Sequence, residues 1–222
     1  MKLFVQGITK FLLGIILVGV LLFVPAGTLD YINAWLLMGL LFIPMFIVGI
    51  LLMIINPDLL KRRLDAKEQE QEQKEVIVLS GLMFITGFII AGLNYKYNWI
   101  TLSNTTVVIA SILFVISYLL YGEILRENSY LLRTIKVEKD QKVVDTGFYG
   151  IIRHPMYAVT IPLFLSMPII LNSPISFIIF LIYPFIIIKR INNEEKVLEK
   201  ELKGYKEYQK KVKYKLIPFI WW

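Results

Sequence analysis

Long apolar runs alternate with charged segments along this chain, and the lengths of the runs predict helices that cross a membrane. Four runs are almost free of charge, and they cover residues 3–24, 34–55, 76–93 and 107–121. A membrane span needs about 20 mostly apolar residues, because the hydrocarbon core of a bilayer is roughly 30 Å thick. We therefore interpret the four runs as membrane-spanning helices.

A fifth apolar region, residues 156–188, is interrupted by the turn-forming sequence Asn172-Ser173-Pro174. The interruption predicts two short spans joined by a tight turn. Composition agrees with a membrane protein, because 57% of the 222 residues are hydrophobic, above the roughly 45–50% of soluble domains. We therefore expect an all-α integral membrane protein with about six transmembrane helices.

Two polar segments are predicted to be helical but to lie outside the membrane core. Residues 67–75 have high helix propensity and no apolar face, which predicts a solvated extension of the third span. Residues 194–215 place apolar side chains at helical spacing between lysines and glutamates. This pattern predicts a C-terminal amphipathic helix that lies at the membrane interface, with the closing Trp221-Trp222 pair as an anchor.

The basic residues are distributed asymmetrically between the two sides of the predicted membrane. Of the 24 Lys and Arg residues, all except Lys96 fall at the N-terminus, in the loops 56–75 and 123–155, or in the tail from Lys189. Positively charged loops stay on the cytoplasmic side, so both termini are predicted to be cytoplasmic. The net charge of +7 then favours contact with anionic membrane lipids, by about 1 kcal/mol per basic residue near the surface, rather than binding to nucleic acid.

The side-chain inventory excludes several kinds of chemistry. The chain has no cysteine, which excludes disulfides, thiolate catalysis and cysteine-based metal sites. It has a single histidine, His154, so no metal site built from a cluster of histidines is expected. Demanding chemistry must therefore come from an organic cofactor or from the positioning of reactants.

A first polar cluster, QKVVDTGFYGIIRHPMY, covers residues 141–157 and contains that histidine. The Asp145-Thr146-Gly147 sequence predicts a turn, and Pro155 suits the first turn of the fifth span. Arg153 and His154 are then placed at a helix N-terminus, where anions are favoured. A ligand carboxylate or phosphate would fit there.

A second polar cluster begins where the last apolar run ends, and it contains Arg190, Glu194 and Glu195. Arg190 and Glu194 are four residues apart and share one face of a helix. The fifth and sixth spans form a hairpin, so both clusters are expected at the same membrane surface, with His154 and Glu194 converging on one ligand. A zwitterionic, amino-acid-like molecule would find cationic groups in one cluster and carboxylates in the other.

Each feature also has an ordinary interpretation. Arg153 and His154 could cap a helix beside lipid headgroups, Arg190 and Glu194 could be a surface pair, and the tyrosines could belong to an interfacial belt. These alternatives stay open for each residue taken alone.

At these residues the chain resembles the isoprenylcysteine carboxyl methyltransferase family and, more broadly, membrane methyltransferases that include the phospholipid N-methyltransferases. The resemblance rests on three motifs in order, QKVVDTGFYGIIRHPMY, RINNEEKVL and GYKEYQKKVKYKLIPFIW, over residues 141–221. It implies S-adenosyl-L-methionine as the methyl donor and a single transmembrane methyltransferase domain over residues 1–222. Four spans would lie in residues 1–122, and the cofactor-binding catalytic part in residues 123–222.

The resemblance also implies roles for individual residues. The implied cofactor contacts are Gln141, Lys142, Val143, Val144, Tyr149, His154, Pro155, Met156, Tyr157 and Glu194. The position of Arg153 at the predicted helix N-terminus adds it as a further group for the cofactor carboxylate. Arg190 corresponds to the arginine that orients the methyl acceptor, and Glu195 is a second carboxylate that could help to hold the cofactor ammonium or act as a base for an amine acceptor. The expected reaction is methyl transfer to a lipophilic acceptor, a carboxylate of the isoprenylcysteine type, at the cytoplasmic membrane face.

Three alternatives have different consequences. A phospholipid amine N-methyltransferase would use the same cofactor but would have to deprotonate its acceptor. An NADPH-dependent membrane lipid reductase would need a pyrophosphate cradle, and the sequence has no Gly-rich motif of that kind. A non-catalytic membrane protein such as a transporter would be expected to carry charged residues in the middle of its spans.

Overall fold

The computed structural model describes residues 2–64, 71–128, 130, 137 and 141–221. All regular elements in these ranges are helical, which confirms the all-α prediction. They comprise nine α-helices and one short 3₁₀ helix. The α-helices are α1 Lys2–Ala26, α2 Ile32–Ile55, α3 Pro57–Leu64, α4 Gln71–Tyr97, α5 Asn104–Glu127, α6 Pro155–Ile170, α7 Pro174–Phe180, α8 Tyr183–Glu201 and α9 Tyr205–Lys211.

Five helical units in the described residues are long and apolar enough to cross a membrane. The four N-terminal spans are found where the apolar runs predict them, as α1, α2, α4 and α5, and α7 and α8 together form the fifth unit, Pro174–Glu201. Helix α6 has 16 residues, about 24 Å at 1.5 Å per residue, which is shorter than the hydrocarbon core. The expected number of six crossings therefore stays a prediction.

Helix α6 nevertheless reaches from one end of the helix bundle to the other. Its C-terminal carbonyls are bound where α2 begins, because Asn33 Nδ2 donates to Ile170 O at 2.8 Å and the Tyr31 hydroxyl donates to Leu171 O. Asn94, near the end of α4, donates to Asn172 O at 3.2 Å. These contacts define the far end of the bundle.

The opposite end, which we call the site end, carries the charged loops. Lys10 of α1 donates to Leu64 O at the end of α3, and Lys189 of α8 pairs with Glu75 of α4 at 2.5 Å. Glu127, at the end of α5, lies there as well. The structure therefore places the described ends of the loops that the charge pattern groups together at one end of the bundle, and their cytoplasmic orientation remains a prediction. Lys67, Arg133, Lys136, Lys139 and Trp222 lie outside the described residues.

Helix α4 packs against α1, α7 and α8. Two of its glycines permit this. A Cβ on Gly92 would lie 2.5 Å from the Leu22 carbonyl oxygen of α1, and a Cβ on Gly87 would lie 2.3 Å from the Phe180 ring of α7. By contrast, α1 and α2 expose most of their apolar side chains, as expected for helices that face lipid.

The turn between α6 and α7 is found where the Asn-Ser-Pro sequence predicts it. Asn172 adopts a left-handed conformation with φ of 56°, and the buried Ser173 accepts a bond from Ser176 N that caps α7. Ser176 Oγ in turn donates to Gly87 O at 2.8 Å. The turn thus also fixes α7 against α4.

The C-terminal helix is not the single amphipathic helix that the sequence predicts for residues 194–215. Helix α8 continues to Glu201, the chain then turns at Gly204 with φ of +88°, and only Tyr205–Lys211 form α9. Tyr205 and Tyr208 are buried together with Leu202 and Val212, so the apolar face of this segment packs on protein. Residues 71–75 of the predicted extension 67–75 are helical as part of α4, and residues 67–70 lie outside the described residues.

Candidate functional site

An open cavity lies at the site end, between the start of α6, the second half of α8, α9 and the segment 141–144. The space inside it is about 80 Å³, smaller than the roughly 300–1,000 Å³ of typical small-molecule sites, so a ligand of nucleoside size would also occupy its open mouth. Its lining residues are Asn128, Tyr130, Gln141, Lys142, Val143, Val144, Tyr149, Arg153, His154, Met156, Tyr157, Arg190, Glu194, Leu198, Leu202, Tyr205 and Tyr208. We call it the polar cavity.

The polar cavity brings together the two sequence clusters. All the residues singled out in the sequence line it except Pro155 and Glu195. In particular, His154 and Glu194 face the same cavity although 40 positions separate them, as the hairpin topology predicts. The structure thus unites these side chains, and their roles toward a ligand remain to be tested.

Gly147 shapes the turn that carries Tyr149 into the cavity. Its φ is +56°, and a Cβ there would lie 2.1 Å from Glu127 Oε1, so a side chain would strain the backbone and displace the Glu127 carboxylate. The Glu127 carboxylate accepts a bond from Phe148 N at 3.0 Å. This contact fixes the 3₁₀ helix Gly147–Gly150 to the end of α5.

The Arg153-His154-Pro155 sequence begins α6, as predicted, with His154 at the N-cap and Pro155 at the first helical position. The backbone N–H groups of Arg153 and His154 donate to the carbonyls of Tyr214 and Lys215, each at 2.9 Å. These two amides are therefore occupied by the C-terminal segment 212–215, which we call the tail strap. The expectation that they would bind a ligand anion is wrong.

Glu195 lies beneath the polar cavity, at the centre of a buried charge cluster. One of its oxygens accepts from Arg153 Nε at 2.7 Å and lies 3.2 Å from His154 Nε2, and the other lies 3.0 Å from Lys215 Nζ. Arg153 also donates to the carbonyls of Val212 and Lys213, at 2.9 and 2.7 Å. The carboxylate that the sequence offers as a second cofactor ligand or base thus joins α8 to the start of α6 and to the tail strap.

Glu194, by contrast, faces the cavity and belongs to a short hydrogen-bonded chain. The Tyr157 hydroxyl donates to Glu194 Oε2 at 2.6 Å and accepts from Arg190 Nε at 2.8 Å. Tyr157 is buried, so this chain fixes one carboxylate and one guanidinium about a single hydroxyl. The two groups are the opposite charges that the sequence analysis expects at this site.

Six further lining residues were not identified from the sequence. They are Asn128, Tyr130, Leu198, Leu202, Tyr205 and Tyr208.

Burial is the largest cause that raises the pKa of Tyr205 and of Tyr208 well above the usual value, so both hydroxyls stay protonated at neutral pH. Tyr208 donates to Tyr149 O at 2.8 Å, and the buried Tyr205 hydroxyl has no hydrogen-bond partner among the described residues.

A second cavity, of about 410 Å³, lies between α4, α5, α6 and α8. We call it the lateral chamber. Most of its wall is apolar, with polar groups from a few side chains. It is lined by Arg63, Val76, Ile77, Ser80, Phe84, Tyr121, Met156, Tyr157, Thr160, Phe164, Tyr183, Ile187 and Arg190.

The polar cavity and the lateral chamber are neighbours. Met156, Tyr157 and Arg190 line both of them. A polar ligand on one side of this wall and an apolar ligand on the other would therefore meet at these three residues. Within the part of the chain that the structure describes, no group of three or more His, Asp or Glu side chains is arranged to hold a metal ion.

Comparison with known proteins identifies one family. The model of the isoprenylcysteine carboxyl methyltransferase family matches residues 107–200, a segment that contains α5, the His154 turn, α6, α7 and nearly all of α8. A comparison with curated proteins finds no match. The match covers less than half of the 222 residues, and within that segment it confirms the resemblance found in the sequence.

Proposed function

We propose that this protein transfers a methyl group from S-adenosyl-L-methionine to a lipophilic carboxylate at the cytoplasmic face of a membrane. One observation carries the proposal: the polar cavity and the lateral chamber share the wall formed by Met156, Tyr157 and Arg190. Such a wall suits a reaction between a water-soluble donor and a lipid-like acceptor. A family of membrane methyltransferases matches the segment that supplies this wall.

The lining of the polar cavity fits the proposed cofactor. Its ammonium requires an anionic partner, and Glu194 provides a carboxylate held by Tyr157 at 2.6 Å. Its carboxylate requires hydrogen-bond donors, and the side chains of Arg153 and His154 line the cavity, where Glu195 already binds both of them. The buried hydroxyl of Tyr205, with no partner among the described residues, offers a hydrogen bond to a bound ligand.

The remaining lining residues would position the nucleoside. Tyr149 and Tyr157 offer aromatic faces to the positively charged sulfur or to the adenosyl group. Gln141, Lys142, Val143 and Val144 also line the cavity. Glu195 has a positioning role in this proposal, because its bonds to Arg153, His154 and Lys215 hold the side chains of Arg153 and His154 in place at the cavity.

The chemistry requires no general base. The cofactor supplies an electrophilic methyl group on a positively charged sulfur. As a carboxylate oxygen of the acceptor forms a bond to that carbon, the carbon–sulfur bond breaks and leaves a neutral thioether, and no proton is transferred. Holding the reactants in line is worth about 7–11 kcal/mol in favourable cases, and Arg190 at the shared wall is placed to orient the acceptor carboxylate.

The lateral chamber would hold the apolar part of the acceptor. Phe84, Phe164 and Ile187 give it an apolar wall between membrane-spanning helices, so a lipid tail would stay in a hydrocarbon environment while its head reaches Arg190. The family name refers to isoprenylcysteine, and we take a carboxylate of that type as the first acceptor to test.

The test measures S-adenosylmethionine binding to purified protein in detergent. Glu194→Gln keeps the shape of the side chain but removes its charge, and should weaken binding at least tenfold, whereas Glu201→Gln, at the exposed end of the same helix, should bind like the parent. His154→Ala should also lose binding. If Glu194→Gln and His154→Ala both bind the cofactor like the parent, the assignment of the polar cavity is wrong.

Transfer is measured separately, with labelled methyl groups and a prenylated cysteine carboxylate. Arg190→Ala should reduce the transfer rate more than it weakens cofactor binding, because the arginine also lines the lateral chamber, where the acceptor would be held. Loss of cofactor binding equal to that of Glu194→Gln would contradict this division of roles.

A further inference from the structure

A third cavity lies between α1, α2 and α3, and it shares no described lining residue with the polar cavity or the lateral chamber. Its volume of about 390 Å³ is within the roughly 300–1,000 Å³ of small-molecule sites. Helix α1 lines it with residues between 4 and 11, α2 with residues between 45 and 53, and α3 with Leu60 and Leu64. We call it the α1–α3 groove.

The groove is accessible from outside the helix bundle and is widened by two glycines. On its walls Phe4 is 51% exposed and Phe46 is 40% exposed. A Cβ on Gly49 would meet no atom within 4 Å, and a Cβ on Gly7 would approach only Leu64 Cδ1, at 3.8 Å. Close packing therefore does not require glycine at either position, and the two glycines leave space between α1 and α2 that a ligand can fill.

Lys10 brings a charge into this apolar groove. It is the only charged residue of the candidate span Leu3–Ala26, and its ammonium donates to Leu64 O at the end of α3. A charged side chain within a span is costly unless it has a partner, and the groove-lining residues that the structure describes include no aspartate or glutamate. Because an ammonium has three donors, Lys10 can bind an anion and keep its bond to Leu64 O.

The surroundings of Lys10 indicate which anion would bind. Apart from Lys10, the described side chains that line the groove are apolar, so a matching ligand joins a negative charge to a hydrocarbon chain. The groove lies at the site end, which is predicted to be cytoplasmic. Anionic phospholipids are concentrated in the cytoplasmic leaflet, and basic pockets between membrane helices on that side bind their headgroups.

We propose that the α1–α3 groove is a binding site for an anionic phospholipid, with an acyl chain between α1 and α2 and the phosphate bound by Lys10. The bound lipid would join α3 to the first two spans, because Lys10 contacts both the phosphate and the end of α3. This inference does not depend on the proposed function, since the groove is separate from both cavities that the methyl transfer would use.

The experiment uses purified, delipidated protein in detergent and two probes with identical acyl chains, phosphatidylglycerol and phosphatidylcholine. Native mass spectrometry measures how many lipids bind and how tightly. The parent should bind one phosphatidylglycerol about fivefold more tightly than phosphatidylcholine, the factor that corresponds to roughly 1 kcal/mol per basic residue near the surface. Lys10→Met should remove this preference, and Lys10→Arg should keep it because it keeps the charge.

Filling the groove tests the place of the acyl chain. Gly49→Leu puts a larger side chain into the open space and should weaken binding of both lipids about tenfold or more. Gly81→Leu is the matched control, because a Cβ on Gly81 of α4 also meets no atom within 4 Å and Gly81 does not line the groove. Lys200→Met, which removes an exposed charge near the end of α8, controls for the loss of one positive charge. Both controls should bind the two lipids like the parent.

Several results would overturn the inference. Equal affinities of the parent for the two lipids, or a preference that survives in Lys10→Met, would exclude the contact between Lys10 and the phosphate. Gly49→Leu binding like the parent, or losing no more affinity than Gly81→Leu, would exclude the groove as the site of the chain. Displacement of phosphatidylglycerol by an equal concentration of inorganic phosphate would identify a simple anion site, and a parent dimer that Gly49→Leu dissociates would assign the groove to a second copy of the chain.

The affinity for S-adenosylmethionine, measured in parallel, keeps this inference separate from the proposed function. None of the substituted residues lines the polar cavity, so every variant should bind the cofactor like the parent. A parent that binds phosphatidylglycerol selectively but does not bind S-adenosylmethionine would contradict the proposed function and support the lipid site.

Discussion

The buried charge cluster around Glu195 leads to a prediction about two substitutions made together. Glu195 is about 5% exposed and neutralises both Arg153 and Lys215. Glu195→Gln removes the only negative charge of the cluster and leaves two cations close together. Adding Lys215→Met removes one of those cations, so the double variant should be more stable than Glu195→Gln alone.

The magnitudes follow from burial and from the partners that remain. Removing one member of a buried ion pair costs about 3–5 kcal/mol, which we expect for Glu195→Gln. Lys215→Met alone should cost about 1–2 kcal/mol, because its side chain is 19% exposed and Glu195 keeps Arg153. In the double variant one of the two buried cations is gone, and the other, Arg153, still donates to Val212 O and Lys213 O. We therefore expect the double variant to be about 2 kcal/mol more stable than the sum of the two single effects.

Thermal unfolding of the detergent-purified variants at one fixed scan rate provides the ranking, since membrane proteins often unfold irreversibly. Lys213→Met is the matched control, because Lys213 is exposed in the same tail strap; it should change stability by less than about 0.5 kcal/mol. A double variant that is less stable than Glu195→Gln by the full effect of Lys215→Met would refute the electrostatic argument. So would a Glu195→Gln variant as stable as the parent.

The remaining predictions concern packing, the Gly147 turn and ligand binding. Gly92→Ala should destabilise the protein by about 1–3 kcal/mol, since its Cβ would meet the α1 backbone, whereas Gly81→Ala has no atom within 4 Å and should be neutral or slightly stabilising in the same unfolding assay. Gly147→Ala should weaken cofactor affinity, measured by titration, because it displaces Glu127 and distorts the turn; unchanged affinity would contradict the role of this turn. At a concentration of 100 times its Kd, S-adenosylmethionine should stabilise the parent by about 2.7 kcal/mol and Glu194→Gln by much less, and equal stabilisation would argue against Glu194 as a cofactor ligand.

The meeting of His154 and Glu194 could be predicted because it depends on topology alone. Polar clusters at the two ends of an apolar hairpin must return to the same end of the bundle, whatever the packing between them. The turn at Asn172 is similarly local, since Asn tolerates a positive φ and Pro begins the next helix. Chain reversal and helix ends are properties that a sequence encodes in a few neighbouring residues.

The difference between Glu194 and Glu195 could not be predicted in this way. Adjacent residues on a helix point about 100° apart, so one carboxylate faces the cavity and the other faces the tail strap. Which one does so depends on the rotation of α8, and that is set by packing against α4 and α6. The partner Lys215 is 20 residues further along the chain, and no local pattern links it to Glu195.

The tail shows the limit of an amphipathic pattern. Spacing correctly places Tyr205 and Tyr208 on one face, but a period of 3.6 does not distinguish an apolar face that meets lipid from one that meets protein. The change of direction at Gly204, with φ of +88°, folds α9 back over the polar cavity. The tyrosines assigned to the membrane surface are therefore part of the cavity wall.

The two cavities do not follow the division of the chain into residues 1–122 and 123–222 that the sequence suggests. Every described residue of the polar cavity comes from residues 128–208, whereas the lateral chamber also takes Arg63 of α3 and Val76, Ile77 and Phe84 of α4. The family match begins at residue 107, so it covers only part of the chamber. If cofactor binding depends on the C-terminal half and acceptor choice on both halves, exchanging residues 57–84 for those of a relative should change the preferred acceptor and leave the affinity for S-adenosylmethionine unaltered.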